Sequence, residues 1–368
     1  MMLACAGSQG DPTFGSSGDS DTGPSPAEDG QTYYVSPDGD DGHKGSADKP
    51  LRTLQEAADR ASAGDTYVVR PGEYGSFTIT KGGTQLEPVT FVAETAGTAV
   101  IDGDREQEHA VVFEDVSHVV LSGFEIKDFY WAAIMVDGQD VVISDNWIHD
   151  IGDRREGSGQ WIAGIYESDT GKRNQYLGNT VTDVGRSLDS PEDLHRQDHA
   201  LWIGGDEAMV ANNLFTDNDT GWGVYVSSNA GVEKLTITNN TFIEGARHVQ
   251  LQGALDTVMV QNNIFYDPQD SYESVNFEVS EETLNDVTVR YNIGWPIGVA
   301  DACTICTVED NLDGVDPGLA DIPNRSPYLA AGAAAIDAGV RDRAPQTDID
   351  GDARPAGRTI DIGAHEVQ

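Results

Sequence analysis

A chain of 368 residues with 22 basic and 63 acidic side chains carries a formal net charge of −41. Such a polyanion is not built for nucleic acid, because phosphate binding needs a cationic face, and no apolar run reaches the ~18 residues that cross a bilayer. The charge suits solubility, a saline habitat or divalent cations, and it counts against a polyanionic ligand unless a bound cation reverses the local field.

In chain order, Cys5 within Met1-Met-Leu-Ala-Cys5-Ala-Gly-Ser8 reads as a bacterial lipoprotein signal remnant whose cysteine is the lipidation site. The Gly/Ser/Asp/Pro/Thr stretch that follows reads as a tether, so residues 1–31 form a signal remnant and disordered linker. This places the protein outside the cytoplasm, on the cell surface or outer membrane, with a lipid anchor as its one membrane contact. Order begins near Tyr33. Residues 53–62 place Leu54, Ala57, Ala58 and Ala61 on one face of a short amphipathic helix. Residues 64–74 then read as strand and turn.

From Phe124 onward one pattern recurs: Asn or Phe, any residue, an apolar residue, any residue, and usually an acid. It starts at Phe124, Asn146, Asn179, Asn213, Asn240, Asn263 and, degenerately, Asn292, at intervals of 22, 33, 34, 27, 23 and 29 residues. A basic period of about 22 with insertions is a solenoid signature, and period-2 alternation within four to six residues makes its units β-strands. The expected fold is all-β: a parallel β-helix of three strands per coil over residues 32–320, plugged by the N-terminal helix and followed by a C-terminal capping segment over 321–368. One elongated monomer satisfies the length, since a repeat array grows in one dimension. The repeat asparagines belong in the turn before the third strand of each coil, stacked inward and satisfying turn groups that burial would otherwise leave unpaired.

The first strand of the next coil follows the acidic turn. Inward pairs Ile134/Val136, Leu201/Ile203, Val224/Val226, Val249/Leu251 and Phe277/Val279, with Ile165, send Met135, Tyr166, Trp202, Tyr225, Gln250 and Glu278 outward in one column. A neighbouring outward column holds Gly164, Ala200, Gly223, His248 and Asn276. At about 4.8 Å per coil, rings in such a column form a platform for sugar C–H faces. Tyr166, Trp202 and Gln250 are therefore candidate substrate-binding residues, and the expected partner is a polysaccharide.

The two longest intervals come from loops at the same turn, 151–160 and 184–198, which would wall one side of a groove. They supply Arg154, Arg155 and Arg196 as further substrate contacts. Asp198 beside His199 suits an acid that fixes an imidazole tautomer. With Arg247, His248 and Tyr225 these residues are the catalytic candidates. The repeat acids, including Asp150, Asp183 and Asp217, form a row at coil spacing, where mutual repulsion would be relieved by calcium. Cys303 and Cys306 form a small-loop disulfide outside the cytosol or remain two thiols. Asp348-Ile-Asp-Gly-Asp352 alternates carboxylates without the bidentate Glu of a complete EF-hand loop.

Two stretches carry a resemblance. YYVSPDGDDG from Tyr33, continuing through KPLRTLQEAADRASAGDTYVVRPGEY, resembles the opening of right-handed parallel β-helix proteins of the pectate-lyase-like superfamily. The tail AIDAGVRDRAPQTDIDGDARPAGRTIDIGAHE resembles the C-terminal segment of bacterial surface-anchored β-helix proteins. The resemblance implies a right-handed helix with its cleft beside the loops described above. It also implies a lyase that cleaves an acidic glycan by calcium-assisted β-elimination, with Lys or Arg as the usual base. The aromatic column departs from that pattern in holding no lysine: the nearest, Lys127, lies on another strand. The alternatives are a non-catalytic surface glycan-binding or adhesive protein and, third, a glycoside hydrolase.

Overall fold

The computed structural model describes residues 30–152, 161–186, 197–218, 220–267, 274–278, 283–294, 297, 303 and 305–368. The period-2 segments pair into three parallel sheets of 8, 12 and 10 strands, which the chain visits in rotation. One coil runs through Ala132–Gln139 in the first sheet, Val142–Ser144 in the second and Trp147–Ile151 in the third. The next repeats this as Ile162–Glu167, Gln175–Leu177 and Thr180–Val184, each strand paired in parallel with its predecessor.

Two turn chemistries set this rotation. Before the third strand a residue in the left-handed region, such as Asp145, Asn212, Asn239 or Asn262, precedes the repeat asparagine. Each asparagine then accepts the backbone N–H of the one before it: Asn146 from Phe124 at 3.0 Å, Asn179 from Asn146 at 3.1 Å, Asn213 from Asn179 at 2.9 Å, and so on through Asn240, Asn263 and Asn292 to Asn311. The ladder is thus one rung longer than the repeat pattern indicates. At the end of the third strand, Asp128, Asp150, Asp183, Asp217, Glu244 and Asp267 all have φ between 49 and 57°. Asp and Asn tolerate that region better than most side chains, which is why the repeat ends in an acid.

The interior is filled by side chains from all three sheets, including the stacks Tyr33–Tyr67–Phe91 and Phe215–Phe242–Phe265. Leu54–Arg60 forms the expected helix, with Thr53 Oγ1 capping the Glu56 N–H and Leu54, Ala57 and Ala58 buried. Gln55 bonds both backbone groups of Thr78, so the helix covers the first strand of the first sheet.

The C-terminal segment packs along the third sheet of the solenoid. Leu319, Leu329, Ala335 and Ile362 cover Leu214, Ile243, Ile264 and Ile293, which point outward from the third sheet. Burying each such side chain is worth about 1.5–3 kcal/mol. Polar ties accompany this second core: Val340 N–H to Asn262 Oδ1 at 2.9 Å, Ala364 N–H to Thr241 Oγ1 at 2.9 Å, and Asn239 Nδ2 to Asp361 O at 3.1 Å. Arg354, buried, pairs with Glu366 at 3.0 Å.

Candidate functional site: an aromatic ledge on the first sheet

The register of the first sheet aligns Met135, Tyr166, Trp202, Tyr225 and Gln250, as the alternation predicts. At the next coil Gln250 pairs with Asn276, not Glu278, and Leu251 pairs with Phe277. The expected alignment was two residues out of step. A slip of two leaves every side chain on its own face, so the hydrophobic pattern does not detect it.

The neighbouring column is a larger correction. Gly164, Ala200, Gly223 and His248 face the interior rather than solvent. A Cβ on Gly223 would meet Phe242 at 2.9 Å and one on Gly164 would meet Val181 at 2.9 Å. His248 packs against Phe242 and Phe265, with Ser274 Oγ 3.1 Å from Nδ1 and Glu244 O 3.2 Å from Nε2. Burial pushes it down to about 4. It is a core residue and not part of the surface chemistry. Within these strands two successive residues, such as Ala200 and Leu201, face inward, so alternation carried back from Leu201 assigns the wrong side.

The same offset brings His199 outward, in a line with Ala132, Ala163 and Trp222. Its ring stacks on Tyr225 at 4.1 Å and 2°, and meets Trp202 edge-on at 5.2 Å. His199 is 2% exposed, and its Nδ1 has no hydrogen-bond partner among the described residues. Burial, helped by the nearby Arg247 charge, lowers it to about 3, so it is neutral at physiological pH. Arg247 follows Trp222 in the line, its guanidinium 5.5 Å from that ring and its carbonyl accepting the Gly223 N–H at 3.0 Å. Tyr225 donates its hydroxyl to Gln252, Trp202 Nε1 donates to Ser227 O at 3.1 Å, and Gln250 accepts from Asn276.

Asp198 does not orient His199. Its carboxylate turns away and takes Arg186 Nη2 at 2.8 Å, the Arg186 N–H at 3.0 Å and Thr220 Oγ1 at 2.8 Å, all buried. Adjacent residues of a strand point to opposite faces, so sequence neighbourhood separates this pair. The Asp198–Arg186 clamp instead closes the base of the insertion between them. Arg154, Arg155 and Arg196, like Cys5, lie outside the described residues.

Three aromatic groups extend the ledge beyond the residues the pattern singled out. Trp161 stacks on Tyr166 at 4.4 Å and meets Trp202 at 5.3 Å; Trp131 lies 5.2 Å from Trp161, and His109 lies 4.9 Å from Trp131. Trp131 and Trp161 sit just ahead of a strand whose outward alanine, Ala132 or Ala163, leaves room for a ring. A tryptophan one or two residues before a small outward position was the available signal.

The acidic row does not fit calcium. Asp128 pairs with Arg105 at 2.7 Å, and Asp150 takes His149 Nδ1 at 2.8 Å with Arg105 at 3.8 Å. Arg325 spans Asp217 at 2.8 Å and Glu244 at 2.7 Å, while Asp183 accepts the Thr182 hydroxyl at 3.4 Å and feels the Arg325 charge. Guanidinium groups supply the positive charge that a cation would bring. Asp348, Asp350 and His365 hold ligand-type atoms within 4.8 Å of one another. Asp348 already accepts the N–H groups of Asp350, Asp352 and Glu366, and Asp350 takes the Tyr328 hydroxyl, so this cluster organises the tail. Cys303 and Cys306 form a disulfide.

This is a three-sided parallel solenoid with an aromatic ledge on its first sheet. Residues 33–177 match the family model described as the Pel9A-like, right-handed beta helix region. Among solved structures, pectate lyase Pel9A superposes with a TM-score of 0.55 at 13% identity, covering 93% of this chain and 97% of that one. A GH136 lacto-N-biosidase from Eubacterium ramulus gives 0.52 at 14% identity over 72% and 60%. These likenesses establish the right-handed parallel β-helix. The uncharacterized protein YwoF of Bacillus subtilis is 32% identical over 137 residues, 33% of this chain and 29% of that protein. Pectate lyase PEL9 of Emericella nidulans is 42% identical over 74 residues, 19% and 18% of the two chains. The chain thus matches less than a third of the length of either curated relative.

Proposed function

We propose that this protein acts on polysaccharide, and that its reaction is the β-elimination of an acidic glycan. The observation that carries the reading is the meeting of His199, Tyr225 and the Arg247 charge at one end of an aromatic ledge, on the sheet beside the two insertions. Arg247 would neutralise the uronate carboxylate and so acidify C5–H. The neutral His199 imidazole would take the C5 proton. The electron pair of that bond becomes the C4–C5 double bond as the C4–O bond breaks, and the Tyr225 hydroxyl protonates the departing oxygen. Calcium has no step in this scheme, because the carboxylates that would hold it already face arginines.

A second reading has a specific observation behind it. A nearly enclosed histidine of low basicity is a weak base, which favours a surface glycan-binding protein without turnover. Hydrolysis draws the least support: of the carboxylates adjacent in sequence to His199 and Tyr166, Asp198 is held by Arg186 and Thr220 and Glu167 is buried against Asn174. The disulfide supports a location outside the cytosol, and we retain the lipid anchor at Cys5 and a monomer as parts of the proposal. No helix among the described residues is long and apolar enough to cross a membrane.

Incubation with acidic polysaccharides should yield an unsaturated uronide that absorbs in the ultraviolet, and His199→Ala and Tyr225→Phe should each remove at least 90% of that rate with the fold retained. Glycan binding without new absorbance would replace the lyase by the binding protein.

A further inference from the structure

Cross-strand pairing on the third sheet places Trp147, Thr180, Leu214, Thr241, Ile264 and Ile293 in a single outward column. Leu214, Ile264 and Ile293 are apolar there because the tail buries them. Trp147 is apolar at the same position, two rungs before Leu214, yet it is 44% exposed. Among the described residues it is the one exposed tryptophan. Its ring is also held in place. His149, two residues along on the same face, stacks on it at 4.0 Å and 22°. Asp150 fixes that imidazole at 2.8 Å, and Glu125 lies 3.5 Å from its other nitrogen. With one ring face on His149, the opposite face looks back along the strand to the turn before it. There Asp145, exposed, accepts the Ser122 hydroxyl at 3.2 Å, and Ser122 accepts that of Ser144 at 3.1 Å.

We propose that Trp147 and Asp145 form a second carbohydrate site, on a different sheet from the ledge, and that it takes a neutral glycan. The indole offers a stacking face for sugar C–H groups, and the Asp145 carboxylate accepts sugar hydroxyls at the turn. A ring already fixed by His149 loses little freedom when a ligand stacks on it. A protein partner would need a broad apolar patch, whereas the column continues from Trp147 to Glu125 on one side and Thr180 on the other. An acidic sugar would enter the field of Asp102, Glu125, Asp145 and Asp150. The cations nearby are already paired within that group: Lys127 lies 3.5 Å from Glu125 and 3.7 Å from Asp102, and Arg105 lies 3.8 Å from Asp150. The site does not depend on turnover at the ledge.

The test is affinity electrophoresis of the full chain through gels containing xyloglucan, galactomannan or mixed-linkage β-glucan. Trp147→Ala should weaken binding to at least one of these about tenfold, Trp147→Tyr should keep it, and Asp145→Asn should weaken it about threefold. Equal retardation of the parent and Trp147→Ala in every gel overturns the site, as does retardation by none of the three polymers. A loss seen with Trp202→Ala and not with Trp147→Ala assigns the binding to the ledge, which overturns the second site and leaves the proposed function standing. Release of the bound polymer by choline chloride, with no release by its own oligosaccharides, makes Trp147 a cation site and overturns the glycan one.

Discussion

Glu167 is a fully buried carboxyl inside the coil, held by Asn174 Nδ2 at 2.6 Å beside the buried Tyr176 phenol. Burial raises it from 4.5 to about 7. A carboxyl raised on folding favours the native state fully below about pH 4.5, and that contribution is lost as pH climbs through about 7. The difference is on the order of 3 kcal/mol at 1.36 kcal/mol per unit. Glu167→Gln should therefore flatten the fall in urea midpoint between pH 5 and pH 8; parallel pH profiles for the two proteins would dismiss the effect. Glu167 was invisible in the sequence because its inward position in the strand looked like any other polar residue near a turn. Tyr166, Trp202 and Tyr225 were legible because alternation is robust within a strand. His248 faces the interior and not the outward column because two successive inward residues interrupt the alternation, and Asp198 misled because chain neighbours on a strand do not share a side.

At the scale of the element, the asparagine ladder converts a repeat in the sequence into a repeat in space. Each side chain in its middle accepts two N–H groups and donates to a carbonyl, as Asn240 does with Asn213 and Val210. Asn240→Ala leaves the Asn213 N–H buried and unpaired, a loss of about 1–3 kcal/mol. A leucine there would add steric strain. Denaturant unfolding of Asn240→Ala within 0.5 kcal/mol of the parent would mean that neighbouring groups replace the bond. The ladder and the helix from Leu54 were readable from spacing and amphipathicity. The path of the tail was not: Leu214, Ile243, Ile264 and Ile293 occupy outward positions, and only the second core shows what covers them.

For the molecule as a whole, the question set by a charge of −41 is where the repulsion is answered. Composition gives the total but not the pairing. In the acidic row the answer comes from Arg105, one coil before Asp128, and from Arg325 of the tail, far along the chain from the carboxylates it meets. Chelator should leave the melting temperature within about 1 °C of the untreated protein, whereas Arg325→Ala should lower it and make it rise with added calcium. A large fall on chelation of the parent would show that the row binds metal after all.

The tail that runs beside Asn212, Asn239 and Asn262 has a mechanical consequence. A stack whose units touch only their neighbours frays from either end, one rung at a time. A splint fastened to several rungs forbids that at its own end. The coils it spans must let go together, so fraying is left to the end sealed by the short helix.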